Sequence, residues 1–104
     1  MKKKKNKKDR KGLEKGWGYL YVVNGGDRVK VGMSLQPMKR VKSVKSGAGL
    51  DRECRFQIYG PVPNVKNQEQ YILDNLPCRV PGSEWFRMSY EDCIRRMEYL
   101  VVTW

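Results

Sequence analysis

Four side chains stand out by type and place: Tyr19 and Tyr21 in GYLYVVN, Lys30 in RVKVG, and Glu69 in VKNQEQYILDNL. The first three lie in Gly18–Gly32, where two runs rich in β-branched and aromatic residues flank Asn24-Gly25-Gly26-Asp27. A Gly-Gly pair between such runs is a hairpin signal, because a two-residue primed turn needs positive φ at its centre. With Gly25-Gly26 as the loop, Asn24 faces Asp27, Val23 faces Arg28, Val22 faces Val29 and Tyr21 faces Lys30. Side chains alternate along a strand, so Leu20, Val22, Val29 and Val31 share a core face, and Tyr19, Tyr21, Lys30 and Gly32 share the other. A cation opposite a phenol favours the phenolate, a way to obtain a base from a residue that is normally a poor one.

Glu69 stands out for a different reason. Asn64 is placed to cap a helix running to about Leu76, where Pro77 stops it. Val65, Ile72, Leu73 and Leu76 form its apolar stripe, and residue 69 falls within that stripe by its spacing from Val65, Ile72 and Leu73. A carboxylate there is costly unless it is paired or bound to a metal. Two readings remain: a glutamate reaching solvent from a loosely packed helix edge, or a metal ligand.

The elements that would position these groups follow in order. After the hairpin, Ser34 or Gln36 caps a helix entered through Pro37, with Met38, Val41 and Val44 at helical spacing and Gly47-Ala48-Gly49 at its end. Arg40 adjoins that stripe where the helix meets the sheet, while Lys39, Lys42 and Lys45 fit a solvated face as well as a DNA contact. Arg52–Tyr59 reads as a third strand, ended by Gly60-Pro61-Val62-Pro63. Trp85 and Phe86 read as core closure and Glu84 as a structural hydrogen-bond partner. Ser89-Tyr90-Glu91-Asp92 resembles a capping box before a last helix with Cys93, Ile94, Met97, Leu100 and Val101 on one side. The expected architecture is α/β (α+β): a small three-stranded antiparallel sheet with an N-terminal hairpin, flanked by about three helices, over 17–104. Residues 1–16 read as a disordered basic tail.

GYLYV followed by VKVG resembles the paired motif of the GIY-YIG nuclease superfamily, in the variant whose second motif reads Lys-aliphatic-Gly. SLQPMKR, the Glu69 helix and SEWF resemble the same phage-type DNA-binding or nuclease-like subgroup, so the likeness spans roughly 17–88. The resemblance implies a site of Tyr21, Lys30, Gly32, Arg40 and Glu69, with Tyr19 as a neighbour. It implies one Mg²⁺ on Glu69 (Mn²⁺ as an alternative ion), Tyr21 as base, Arg40 on the nonbridging oxygens, and Gly32 letting backbone approach the phosphate. The second motif holds Lys30 where most of the superfamily has Tyr, which also fits an ion-pairing group.

Charge agrees with a nucleic-acid partner. The chain has 22 basic and 11 acidic side chains, a net +11, and residues 1–15 alone carry nine against two. Lys3, Lys4 and Lys5 with their neighbours would neutralise phosphates without reading sequence. The absence of His removes His-ligated metals and His acid–base catalysis; Cys54, Cys78 and Cys93 read as reduced thiols. No signal peptide or membrane span is recognised, so a cytoplasmic protein with no small-molecule cofactor is expected. The leading expectation is a Mg²⁺-dependent DNA endonuclease, with a catalytically weak DNA-binding module and an RNA-associated basic protein behind it. With no second domain, specificity would come from a protein partner or from DNA shape.

Overall fold

The computed structural model describes residues 15–101. Its centre is the expected hairpin, β1 (Gly18–Asn24) and β2 (Val29–Ser34), but in another register. Tyr21 is paired with Gly32, Val22 with Val31 and Val23 with Lys30. The turn explains the change. Gly25 N donates to Arg28 O at 2.8 Å, so Gly26 and Asp27 form the tip. Asn24 Oδ1 accepts from Gly26 N at 2.9 Å, a local side-chain bond that fixes this turn. Moving the tip by one residue moves every cross-strand pair by two, so the predicted faces survive while the predicted partners do not. Of the glycine pair only Gly26 has a positive φ, +94°. Gly25 is needed for space instead: a Cβ there would lie 2.9 Å from the Trp85 ring.

Among the described residues the sheet has four antiparallel strands, one more than expected, in the order β3 (Phe56–Val62), β1, β2, β4 (Trp85–Phe86). The addition is β4 (Trp85–Phe86), which pairs with Val29 and Lys30 of β2 and is too short for any alternation to betray it. β3 spans Phe56–Val62 rather than 52–59, and Gly60-Pro61 lies within it rather than ending it. This is an edge strand, and its pairing with β1 slips by a residue between Gly18 and Leu20. Pro, which has no N–H to give, is tolerated at such an edge irregularity.

Helices cover both faces. Leu20, Val22, Val29 and Val31 pack with Ile72, Leu73 and Leu76 of the second helical segment, with Phe86, and with Cys93 and Met97 of the third. The two helices on this side are α2 (Val65–Asn75) and α3 (Tyr90–Leu100). Tyr21 and Val23 of the opposite face join Val41 of α1 (Pro37–Gly47), with Phe56 and Ile58 beside them. Each fully buried Leu, Ile or Phe contributes roughly 1.5–3 kcal/mol, so two filled faces hold β1 on both sides.

The caps depart from expectation at two of three helices. Ser89 Oγ accepts from Asp92 N at 3.1 Å, as a capping box requires. Neither Gln36 nor Asn64 caps with its side chain. Ser34 Oγ takes Gln36 N, ahead of α1, and Asn64 adopts φ +50°. The first amide of α2, Val65 N, is satisfied from a distance by Gly16 O at 2.9 Å. The tail expected over 1–16, including Lys3, Lys4 and Lys5, lies outside the described residues apart from its last two positions. No described helix is long and apolar enough to cross a membrane.

Candidate active site

Tyr21 is 1% exposed, its ring set under α1. The phenol lies across its cross-strand partner: a Cβ at position 32 would fall 2.4 Å from Oη and 2.6 Å from Cζ of Tyr21. Gly32 is therefore explained by the tyrosine it accommodates, and the expected approach of a phosphate is not required to account for it. Arg40 meets the same phenol from α1. Its guanidinium is held above the usual arginine range first by a side-chain hydrogen bond with Tyr21, then by the charge of Tyr21, with a further contribution from Glu84. The expected Tyr21–Lys30 pair is thus replaced by a Tyr21–Arg40 pair.

Lys30 turns to another group. Its Nζ donates to Glu84 Oε1 at 3.0 Å, with the two side chains 19% and 37% exposed. Glu84 is placed by a tight hairpin. Its carbonyl accepts from Val31 N at 3.1 Å, and Val80 N donates to Trp85 O at 2.8 Å. Ser83 Oγ donates to Val80 O and accepts from Trp85 N. Glu69, half-buried on α2, completes the group. Burial pushes its carboxyl above the usual range, and the neighbouring Glu84 pushes the same way by charge and by a side-chain hydrogen bond. Lys30 and Arg79 offset part of this.

Glu84 makes the structural hydrogen bond that the sequence reading assigns it, but its partner, Lys30, and its place beside Glu69 are not foreseen. Its link to Lys30 exists only because β4 pairs with β2, and no periodicity marks a two-residue strand. Once it is included, Tyr21, Lys30, Arg40 and Glu69, from β1, β2, α1 and α2, fall into one connected neighbourhood. Tyr21 and Arg40 form one half. Lys30, Glu84 and Glu69 form the other, and the charge of Glu84 is felt in both.

The remaining basic side chains divide. Lys39 and Lys42 are exposed on α1. Lys39 lines a cleft of about 400 Å³ with Arg40, Ser34, Leu35, Gln36 and Ser43. Lys45 corrects the expectation of a DNA-facing lysine: it is 8% exposed, donates to Arg52 O at 2.9 Å and sits 4.6 Å from the Phe56 ring centroid. Tyr19 is partly buried opposite Ser34. A larger cleft, about 680 Å³, lies between 52–57 and α3, and among the predicted site residues only Lys45 lines it. Among the described residues no group of three or more His, Cys, Asp or Glu gathers to hold a metal; the neighbouring carboxyls here are the pair Glu69 and Glu84.

A four-stranded mixed α/β unit with a central hairpin, an arginine helix on one face and a glutamate helix on the other has the form of a small nuclease-like, DNA-binding module. Residues 18–101 match the T5orf172 domain, and the chain belongs to that family, a phage-associated domain of the GIY-YIG-like nuclease fold. No curated protein and no solved structure matches the chain.

Proposed function

We propose that this chain is a divalent-metal-dependent DNA endonuclease that nicks or cleaves phosphodiester bonds at the Tyr21–Arg40–Glu69 site. The observation that supports the reading is that Glu84 acts on both Arg40 and Glu69, which links the Tyr21–Arg40 pair to the Lys30–Glu84–Glu69 group. A core would gain nothing from bringing a phenol, a guanidinium, an ammonium and two carboxyls together.

The donor set fits a Mg²⁺ ion. Glu69 is half-buried beside a second carboxyl, a setting that disfavours its charge and that a cation would relieve. Mg²⁺ keeps most of its waters and needs only one or two protein carboxylates. When bound, it supplies charge that polarises the phosphodiester and stabilises the leaving oxygen. The protein groups do the rest. Arg40, fixed by Tyr21, offsets charge on the nonbridging oxygens. Tyr21, its position set by the buried ring, would take the proton of the attacking water in its phenolate form, a form that a neighbouring guanidinium favours and that requires prior loss of the phenol proton to solvent. Lys30 balances carboxylate charge, and Lys39 and Lys42 bind backbone phosphates.

A second reading, a DNA-binding module of the same fold without turnover, draws on the commitment of Lys30 to Glu84 and on the burial of Tyr21. Plasmid nicking separates the two. Wild type should relax supercoiled DNA with Mg²⁺ or Mn²⁺, and Glu69→Gln should not, while both bind DNA. Wild type that binds but never nicks leaves the module reading standing.

A further inference from the structure

We propose that Glu84 is a positioning residue whose task is to hold the Lys30 ammonium and so keep it from pairing with Glu69, leaving that carboxylate to a cation. This rests on the metal-dependent reading above.

The geometry is specific. Lys30 Nζ is 3.0 Å from Glu84 Oε1, and it also acts electrostatically on Glu69. Two carboxyls thus compete for one ammonium, and in the structure Glu84 has it. The competition is settled by backbone rather than by side-chain chance. The Glu84 carbonyl is bonded to Val31, the residue after Lys30, and Lys30 is itself paired with Trp85, the residue after Glu84. Ser83 and Val80 close the hairpin behind them. A lysine has four rotatable carbons and no preferred fork, so it follows the nearest carboxylate. With the Glu84 charge gone, Glu69 is the carboxylate that Lys30 acts on. A Lys30–Glu69 pair would neutralise the carboxylate that the metal needs and would compete with any divalent ion for it.

The consequence runs against intuition. Removing an acidic neighbour should weaken, through Lys30, cation binding at Glu69. Partners of this kind typically alter metal affinity by about 10–100-fold. We expect Glu84→Gln to lower Mn²⁺ affinity at least about tenfold in an EPR titration with Mn²⁺ alone. Adding Lys30→Gln to that variant should restore most of the loss, and Glu84→Asp, which keeps the charge, should bind close to wild type. Mn²⁺ binding unchanged in Glu84→Gln, no restoration in the double variant, or an equal loss in Glu84→Asp would each overturn the proposal.

A second measurement needs no metal. The Lys30–Glu69 coupling, taken from a double-mutant cycle in urea, should grow when Glu84 is replaced by Gln. An unchanged coupling means that Lys30 does not move to Glu69. If wild type takes up no Mn²⁺ while the coupling grows, the metal-dependent reading fails and the holding role of Glu84 stands.

Discussion

The phenol of Tyr21 occupies the space that a side chain at residue 32 would need, with Oη 2.4 Å from the position of a Cβ there. The glycine of the second motif and the tyrosine of the first are therefore one packing unit. Gly32→Ala should displace the ring, cost about 1–3 kcal/mol in urea unfolding as overpacked sites do, and loosen Arg40 along with it. Wild-type stability in this variant would mean that the ring yields freely and does not anchor Arg40.

Gly25 and Gly26 should fail for different reasons. Gly26→Ala puts a Cβ on a residue at φ +94°, a strain of roughly 1–3 kcal/mol that no neighbour relieves. Gly25→Ala instead meets the Trp85 ring at 2.9 Å and Arg28 O at 3.0 Å. Trimming the indole with Trp85→Leu should therefore recover part of the Gly25→Ala loss and none of the Gly26→Ala loss. A cycle showing equal recovery would discard this distinction.

The three lysines of α1 should sort by what they touch. Lys45→Gln gives up a charged hydrogen bond to Arg52 O and the contact with Phe56, and should lower stability by about 1–3 kcal/mol. Lys39→Gln and Lys42→Gln should leave melting unchanged and weaken DNA binding on every sequence, each reducing the salt slope by about 0.9. Fluorescence anisotropy over a salt series, beside thermal melts, checks both halves.

Glu69 should make stability depend on pH with a definite sign. Its folded carboxyl is shifted upward from 4.5 by burial first and Glu84 next, so the folded state holds this proton more tightly than the unfolded chain does. The stability it contributes is fully present below the ordinary carboxylate value and is lost as pH rises through the folded one. Relative to Glu69→Gln, wild type should lose ground over that window and stay level above it. Urea melts from acid to neutral pH measure the gap. Wild type gaining stability on Glu69→Gln as pH rises would contradict the desolvated setting assigned to Glu69.

Cys93 is buried among the packed residues of α3, and burial pushes its thiol up to about 12. It should resist iodoacetamide at neutral pH, while Cys78, exposed in the loop after α2, should react first. Peptide mass mapping after a short pulse reads the order directly. Equal labelling of Cys93 and Cys78 in native protein would show that α3 opens far more readily than its packing implies.

What the sequence disclosed followed the reach of each signal. Alternation placed Leu20, Val22, Val29 and Val31 on one face, and helical spacing placed Val65, Ile72 and Leu73 in the core, because burial has a period that residue types carry. The register did not follow, since it turned on whether Asn24 would take Gly26 N with its own side chain. That choice moved Lys30 from Tyr21 to Val23 and left the phenol to Arg40. That Glu84 makes a structural hydrogen bond was legible, but its partner was not, because Lys30 lies 54 residues away and is met only through β4. Pro61 misled because its cost depends on whether a strand is central or at an edge, and that is a property of the sheet. Likewise the amide of Val65 drew its acceptor from Gly16, not from the adjacent Asn64.

The two outer strands also bear on how this molecule behaves in company. An open sheet edge is a template on which another chain can lay a strand and begin an aggregate. One edge of this sheet is β3, bent by a register slip and carrying Pro61, which has no hydrogen to offer a newcomer. The other is β4, two residues long, which offers an incoming strand little to hold. Both borders of the described sheet are thus poor ground for edge-to-edge growth, and two molecules brought close together find little there on which to join sheet to sheet.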